Sequence, residues 1–298
     1  MSSVLSIEKL TKYYGPVRAL KDVSFEVPQG SVFGILGPNG SGKTTLLSII
    51  LDVLKANHGK FLWFGQRGSP DQRKKIGSLL ETPNFYSYLS GTDNLKITQA
   101  ISGRGTAADI DAVLKKVTLY DRRWSPFKSF SLGMKQRLGI AATLLGNPKV
   151  LVLDEPTNGL DPVGIAEIRK LITELKDQGH TIIMASHLLD EVEKVCTHAA
   201  ILKTGSLVTT GNVEEIMMDE DVVELSAADL NSLSIVLKQF GKPVIVDEKT
   251  GMVQIIFPRG TAKLDEINHL CFTHGILLNH LVLKKKRLEA RFFELTNN

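Results

Sequence analysis

Three short runs of this chain are apolar at nearly every position: Val32-Phe33-Gly34-Ile35-Leu36, Val150-Leu151-Val152-Leu153 and Thr181-Ile182-Ile183-Met184. Runs this short, without polar alternation, suit strands covered on both faces of a parallel sheet. A further apolar stretch, residues 46–51, follows the first run across a glycine-rich turn and reads as a helix. Residues 85–130 read as mostly helical, with apolar positions at helical spacing in 109–117. After about residue 220 the pattern changes. It predicts a strand at 221–225, a helix at 230–240, a strand at 243–246 and a turn at Lys249-Thr250-Gly251. A strand at 252–257, a helix at 263–274 and a strand at 276–283 follow, then a short last helix whose Phe292, Phe293 and Leu295 share one side. The expectation is an α/β domain over 1–219 and a small α+β domain of βαββαβ, ferredoxin-like order over 220–298.

The turn after the first strand is Gly37-Pro38-Asn39-Gly40-Ser41-Gly42-Lys43-Thr44-Thr45. Its glycines let successive backbone N–H groups point inward around a polyphosphate, and the following helix adds the positive end of its dipole. Lys43 can reach the β- and γ-phosphates of ATP, and the Thr44 hydroxyl can ligate Mg²⁺. The bland reading is a glycine-rich surface turn. The strand–turn–helix context argues against it.

Downstream, the second apolar run ends in Asp154-Glu155-Pro156. Adjacent carboxylates at a strand end diverge and can take two roles. Asp154 is placed to hold Mg²⁺, and Glu155 to orient or deprotonate an attacking water. In an open α/β sheet the carboxyl ends of the strands carry the ligand site, which puts Asp154 with Lys43. A plain strand exit before a helix-starting proline is the competing reading.

Four more segments identify a family. Phe130-Ser131-Leu132-Gly133-Met134-Lys135-Gln136-Arg137-Leu138 resembles the signature motif of ABC ATPases, Asn158-Gly159-Leu160-Asp161-Pro162 their D-loop, and Ala185-Ser186-His187 their switch histidine. Tyr14-Gly15 resembles the aromatic residue that stacks on adenine. Order and spacing are similar over roughly residues 5–220. The resemblance implies a P-loop NTPase core with a β-subdomain and a helical subdomain at about 85–145. It also implies head-to-tail pairs, with ATP between one copy's phosphate loop and the other's Ser131 and Gly133. In that arrangement His187 holds the γ-phosphate or the water, Glu155 is the general base, and Asp161 links the two sites.

Two departures from the family pattern stand out. Leu132 and Met134 replace a glycine and a glutamine of the signature, which predicts slower turnover with phosphate sensing retained. Glu81, in Leu80-Glu81-Thr82-Pro83, stands where many members have a glutamine beside Mg²⁺, and a carboxylate can also serve a hard cation. The Glu-Thr-Pro segment and the altered signature resemble the subgroup of bacitracin-resistance, lantibiotic-immunity and gliding-motility exporters.

Composition narrows the partners. The 298 residues carry a net charge of only +4, mixed along the chain, so no nucleic-acid scaffold is expected. No apolar stretch approaches the roughly 20 residues that span a bilayer, and the N-terminus lacks a secretory signal pattern. A transporter built on this chain therefore needs a separate membrane permease. The expected location is cytoplasmic, at the inner face of the membrane, with a second copy as homodimer partner. Cys196 and Cys271 read as reduced thiols. His269, Cys271 and His274 lack a metal spacing and read as helix residues. Lys284-Lys285-Lys286-Arg287 reads as a solvated strand end. Of the aromatics around the helical region, Trp124 and Phe127 are expected in the core, while Phe85, Tyr86 and Tyr88 suit either core packing or a groove for a permease helix. A soluble ABC ATPase acting on ribosomes or DNA is the second reading; one cassette and no long heptad region count against it.

Overall fold

A computed structural model describes residues 2–217, 220–247, 250–258 and 260–284. The chain starts with two long antiparallel strands, β1 (Ser3–Tyr14) and β2 (Val17–Pro28), and then enters the buried strand β3 (Val32–Leu36). Helix α1 (Lys43–Ile50) follows the glycine-rich turn, and strand β4 (His58–Trp63) pairs back on β1. The one-turn helix α2 (Pro70–Arg73) leads into β5 (Ile76–Leu79). Three helices come next: α3 (Gly91–Ser102), α4 (Ala107–Lys116) and α5 (Leu132–Leu144). Strand β6 (Val150–Asp154), helix α6 (Pro162–Asp177), strand β7 (Thr181–Ser186) and helix α7 (Leu189–Val195) alternate, and strands β8 (His198–Lys203) and β9 (Ser206–Asn212) close the unit.

These strands form two sheets. The larger has the order β5-β6-β7-β3-β8-β9, parallel except for the edge strand β9. Every residue of β3, β6 and β7 is buried, which is why these segments lack alternation. The smaller sheet, β2-β1-β4, is antiparallel. One apolar core joins the two, with Phe25 of β2 stacked on Phe33 of β3 at 5.3 Å. Each α-helix of the 85–145 region starts on a side-chain cap. Ser90 caps α3, Thr106 and Asp109 form a reciprocal box on α4, and Ser131 caps α5. Phe127 is buried as expected. Trp124 corrects the sequence reading: it is 61% exposed, lying beside the Arg123 guanidinium and the Lys96 ammonium. An indole keeps its favourable face contacts with cations in water, so burial is not its only stable setting.

The contact pattern divides the chain between Asn212 and Val213, whereas the sequence pattern puts the boundary after 219. The second unit holds α8 (Val213–Met217), β10 (Glu220–Ala227), α9 (Leu230–Leu237), β11 (Val244–Asp247), β12 (Met252–Pro258), α10 (Leu264–Thr273) and β13 (Leu278–Lys284). Its antiparallel sheet has the order β11-β12-β10-β13, the ferredoxin-like arrangement of a βαββαβ chain. Val223, Leu225, Val253, Ile255 and Phe257 alternate inward onto Leu233, Leu237, Ile267 and Cys271 of the two helices. The predicted last helix and Lys285-Lys286-Arg287 lie outside the described residues, as does Lys249.

Candidate active site

The sheet order makes the site. Strands β6, β7 and β3 are adjacent, with Asp154 in register with Ala185 and Leu36 in register with Ser186. The glycine-rich turn, the two carboxylates and His187 therefore leave the sheet side by side at its carboxyl edge. A cleft of 890 Å³ opens there, lined by Asn39, Gly40, Gly42, Lys43, Thr44, Thr45, Glu155, Asn158 and His187.

Two glycines of the turn are fixed by space. A Cβ on Gly37 would lie 2.3 Å from Ser41 Oγ and 2.4 Å from the Leu202 carbonyl oxygen. Gly42 caps α1 at φ 103°, and a Cβ there would lie 2.7 Å from the Ala19 carbonyl oxygen. Pro38 leads the chain over the buried Ser41, whose Oγ has no hydrogen-bond partner. Lys43 is buried, and its Nζ donates to the carbonyls of Gly37 at 2.8 Å and Pro38 at 3.3 Å. It also lies 3.5 Å from Glu155 Oε1.

Asp154 is 3% exposed. Its Oδ2 accepts from Thr44 Oγ1 at 2.9 Å, but Oδ1 has no partner. Burial first, then the nearby charges of Glu155 and Glu81, push its carboxyl above the usual range; the Thr44 hydrogen bond and Lys43 oppose this. A buried anionic oxygen without a donor is costly unless something binds it. With the Thr44 hydroxyl beside it, the donor set is all hard oxygen. No group of three His, Cys, Asp or Glu side chains forms a metal cage among the described residues. The arrangement suits a cation that draws most of its ligands from water and phosphate, as Mg²⁺ does.

Glu155 sits at φ 47°, in the left-handed region. That conformation costs a side-chain-bearing residue about 1–3 kcal/mol. Two bonds hold it: Glu155 N–H donates to the Ala185 carbonyl at 3.0 Å, and Asn158 N–H donates to the Glu155 carbonyl at 3.1 Å. The carboxylate is thus aimed between Lys43 and His187. His187 Nδ1–H donates to Glu155 Oε2 at 2.8 Å, which leaves Nε2 free to face a ligand. Glutamate and histidine form a hydrogen-bonded pair at the cleft wall.

The remaining expected residues lie apart from this cluster. Tyr14 lines the cleft rim, half-exposed, with Lys12 Nζ 5.4 Å from its ring centroid. Glu81 is exposed at φ 58° and meets Asp154 only as a nearby charge. Ser131, Gly133 and Asp161 do not line the cleft. Ser131 Oγ accepts from Met134 N–H at 3.2 Å, Gly133 faces open space, and Asp161 caps α6 by accepting from Gly164 N–H at 2.8 Å. Arg18, Lys21 and Thr204 line the cleft without having been singled out in the sequence. They come from β2 and the β8–β9 turn, and only three-dimensional pairing, such as Lys21 N–H to the Gly205 carbonyl at 2.7 Å, brings them in.

Comparison with known proteins agrees with this geometry. The ABC transporter family model matches residues 20–158. The ABC transporter ATP-binding protein YhcH of Bacillus subtilis is 37% identical, over 99% of this chain and 97% of the relative. The bacitracin transport ATP-binding protein BcrA of Enterococcus faecalis is 33% identical over 99% and 97%. Among solved structures, cbiO1 of Clostridium perfringens, part of the ABC transporter complex cbiONQ, superposes with a TM-score of 0.66 at 32% identity, covering 72% of this chain and 91% of that one. With a phosphate loop, an acidic strand end and a switch histidine in one cleft, and relatives matched along nearly their whole length, the chain belongs to the ATP-binding proteins of the ABC transporter family, which are ATP hydrolases.

Proposed function

We propose that this chain is the ATP-driven subunit of a two-component exporter, working as a pair of identical copies on a separate membrane permease. The observation that carries the reading is the convergence of Lys43, Thr44, Asp154, Glu155 and His187 at one sheet edge. ATP enters with its phosphates against residues 37–45 and its base against Tyr14. Lys43 exchanges its loop carbonyls for the β- and γ-phosphates. Thr44 and Asp154, with Glu81 nearby, are the residues that would hold Mg²⁺. When bound, the ion neutralises phosphate charge. Glu155 takes the proton of the attacking water, and His187 holds the γ-phosphate or that water. Ser131, Gly133 and Asp161 stand outside the cleft of their own copy, which fits a role opposite the nucleotide of the second copy.

Export is supported by the Glu81 and Leu132 departures, which resemble an exporter subgroup, and transport by the likeness to a bacitracin transport protein. A separate permease is supported by the absence, among the described residues, of any helix long and apolar enough to cross a membrane. The helical subdomain offers a surface for it. Tyr88 is 70% exposed and contacts the exposed Tyr86, while Phe85 turns inward onto Phe127. Residues 87–90 lie along 126–128, next to exposed Trp124.

The test is affinity capture of Glu155→Gln protein with Mg-ATP from native membranes in mild detergent. A co-purifying polytopic membrane protein whose presence raises wild-type ATP turnover supports the reading. Ribosomal or DNA-bound proteins with no membrane partner would replace it with the soluble alternative.

A further inference from the structure

His187 is only as well placed as helix α7, which begins two residues after it. That helix has three anchors. Leu188 N–H donates to Ser186 Oγ at 3.0 Å. Val192 lies over Gly34 of β3, where an added Cβ would be 2.9 Å from Val192 Cγ1. The third anchor is ionic. Glu191, 5% exposed, reaches the Arg169 guanidinium of α6, with Nε 3.3 Å from Oε2.

Nothing in packing alone requires a carboxylate at this position. A buried ion pair adds little net stability over apolar side chains of similar volume, yet breaking it by removing one partner is costly. Glu191 Oε2 has no hydrogen bond, and burial raises the carboxyl against the pull of Arg169. Of the neighbouring charges on the same helix, Asp190 and Lys194 pair with each other. Glu191 is thus held by charge to one point on α6.

That point closes a ring of contacts. Glu155 is bonded through its backbone to Asn158, the Asn158–Asp161 loop is capped onto α6 by Asp161, Arg169 of α6 meets Glu191 of α7, and α7 leads back to His187, which bonds Glu155. We infer that Arg169 and Glu191 are positioning residues for hydrolysis: their pair fixes α7 against α6 and so sets where His187 meets Glu155 and the γ-phosphate. The inference rests on the assignment of His187 to the reaction.

Basal ATP turnover of the purified full chain tests it. Arg169→Ala and the near-isosteric Glu191→Gln are expected to lower kcat by about tenfold with KM for ATP within about twofold, the pattern of a displaced reacting group. Arg169→Lys should recover part of the loss. In a His187→Ala background, adding Arg169→Ala should cost nothing more, since the group it positions is gone. Unchanged kcat in both single variants, or a loss that persists in full without His187, overturns the pairing role. If His187→Ala alone keeps wild-type turnover, the histidine assignment fails first, and this inference fails with it.

Discussion

Among the described residues, each unit has one buried carboxylate on a sheet strand, and the two are treated in opposite ways. Glu224, on β10 of the second unit, is 7% exposed. It accepts from Lys284 Nζ at 2.8 Å and Gln254 Nε2 at 3.2 Å, with His280 3.4 Å away. Those bonds, led by Lys284, hold its carboxyl below the usual range despite burial. Asp154 in the first unit is just as enclosed, yet one oxygen is left bare and its carboxyl is pushed up. The same chemical group is fully satisfied where it serves the fold and left wanting where a ligand is to arrive. An unbonded oxygen at the strand end is thus the structural trace of the site; buried Glu191 also leaves Oε2 without a hydrogen bond, but the Arg169 guanidinium faces it.

The largest expected break in this contrast is at the neighbouring residue. Glu155→Gln removes the base but keeps the shape, so turnover should fall by about a hundredfold or more while ATP still binds. Size exclusion with Mg-ATP should then show a dimer. A variant that stays monomeric, or that turns over ATP at the wild-type rate, would count against the proposed role.

Asp154→Asn comes next. It replaces a bare buried anion with a neutral amide, so the nucleotide-free protein should gain about 1–3 kcal/mol of stability in urea melts. Hydrolysis should drop sharply at the same time. Loss of both stability and activity would mean that Asp154 is a structural residue like Glu224.

Glu224→Gln is the smaller, sharpening test. Because the folded carboxyl lies below its unfolded value, its stabilisation is present above the unfolded range and fades as pH falls through the folded one. Wild-type stability of the second unit should therefore fall on acidification below about pH 4.5, the ordinary glutamate range. The glutamine variant should lose less stability over that interval while keeping wild-type ATP turnover at neutral pH. An identical acid limb in both proteins would remove Glu224 from the account.

How much of this could be read from the sequence follows the same physical division. The phosphate loop, the Asp154–Glu155 strand end and the run before His187 are contiguous segments whose chemistry and burial pattern are local, so their residues and elements were legible together. The βαββαβ tail was legible because its strands bury one face only, and Val223, Leu225, Val253, Ile255 and Phe257 alternate. Trp124 was misread because residue type predicts average burial, whereas flanking cations decide this one. Arg18, Lys21 and Thr204 reach the cleft through strand pairing across the fold, and no spacing in the chain records that. Neither does the Arg169–Glu191 contact, between two helices whose sequences each look self-sufficient.

Lys43 gives the cleft a resident competitor. Its ammonium is already occupied by the Gly37 and Pro38 carbonyls, with Glu155 Oε1 at 3.5 Å, so any nucleotide must offer it more than two neutral oxygens and a nearby carboxylate. A triphosphate or diphosphate, with anionic oxygens at the β-position, can win that exchange. In the proposed seating, with the base at Tyr14, a monophosphate would bring no β-phosphate to Lys43 and would leave the lysine on its carbonyls. On the proposed binding mode, selection by the number of phosphates would follow from the loop's own hydrogen bonds.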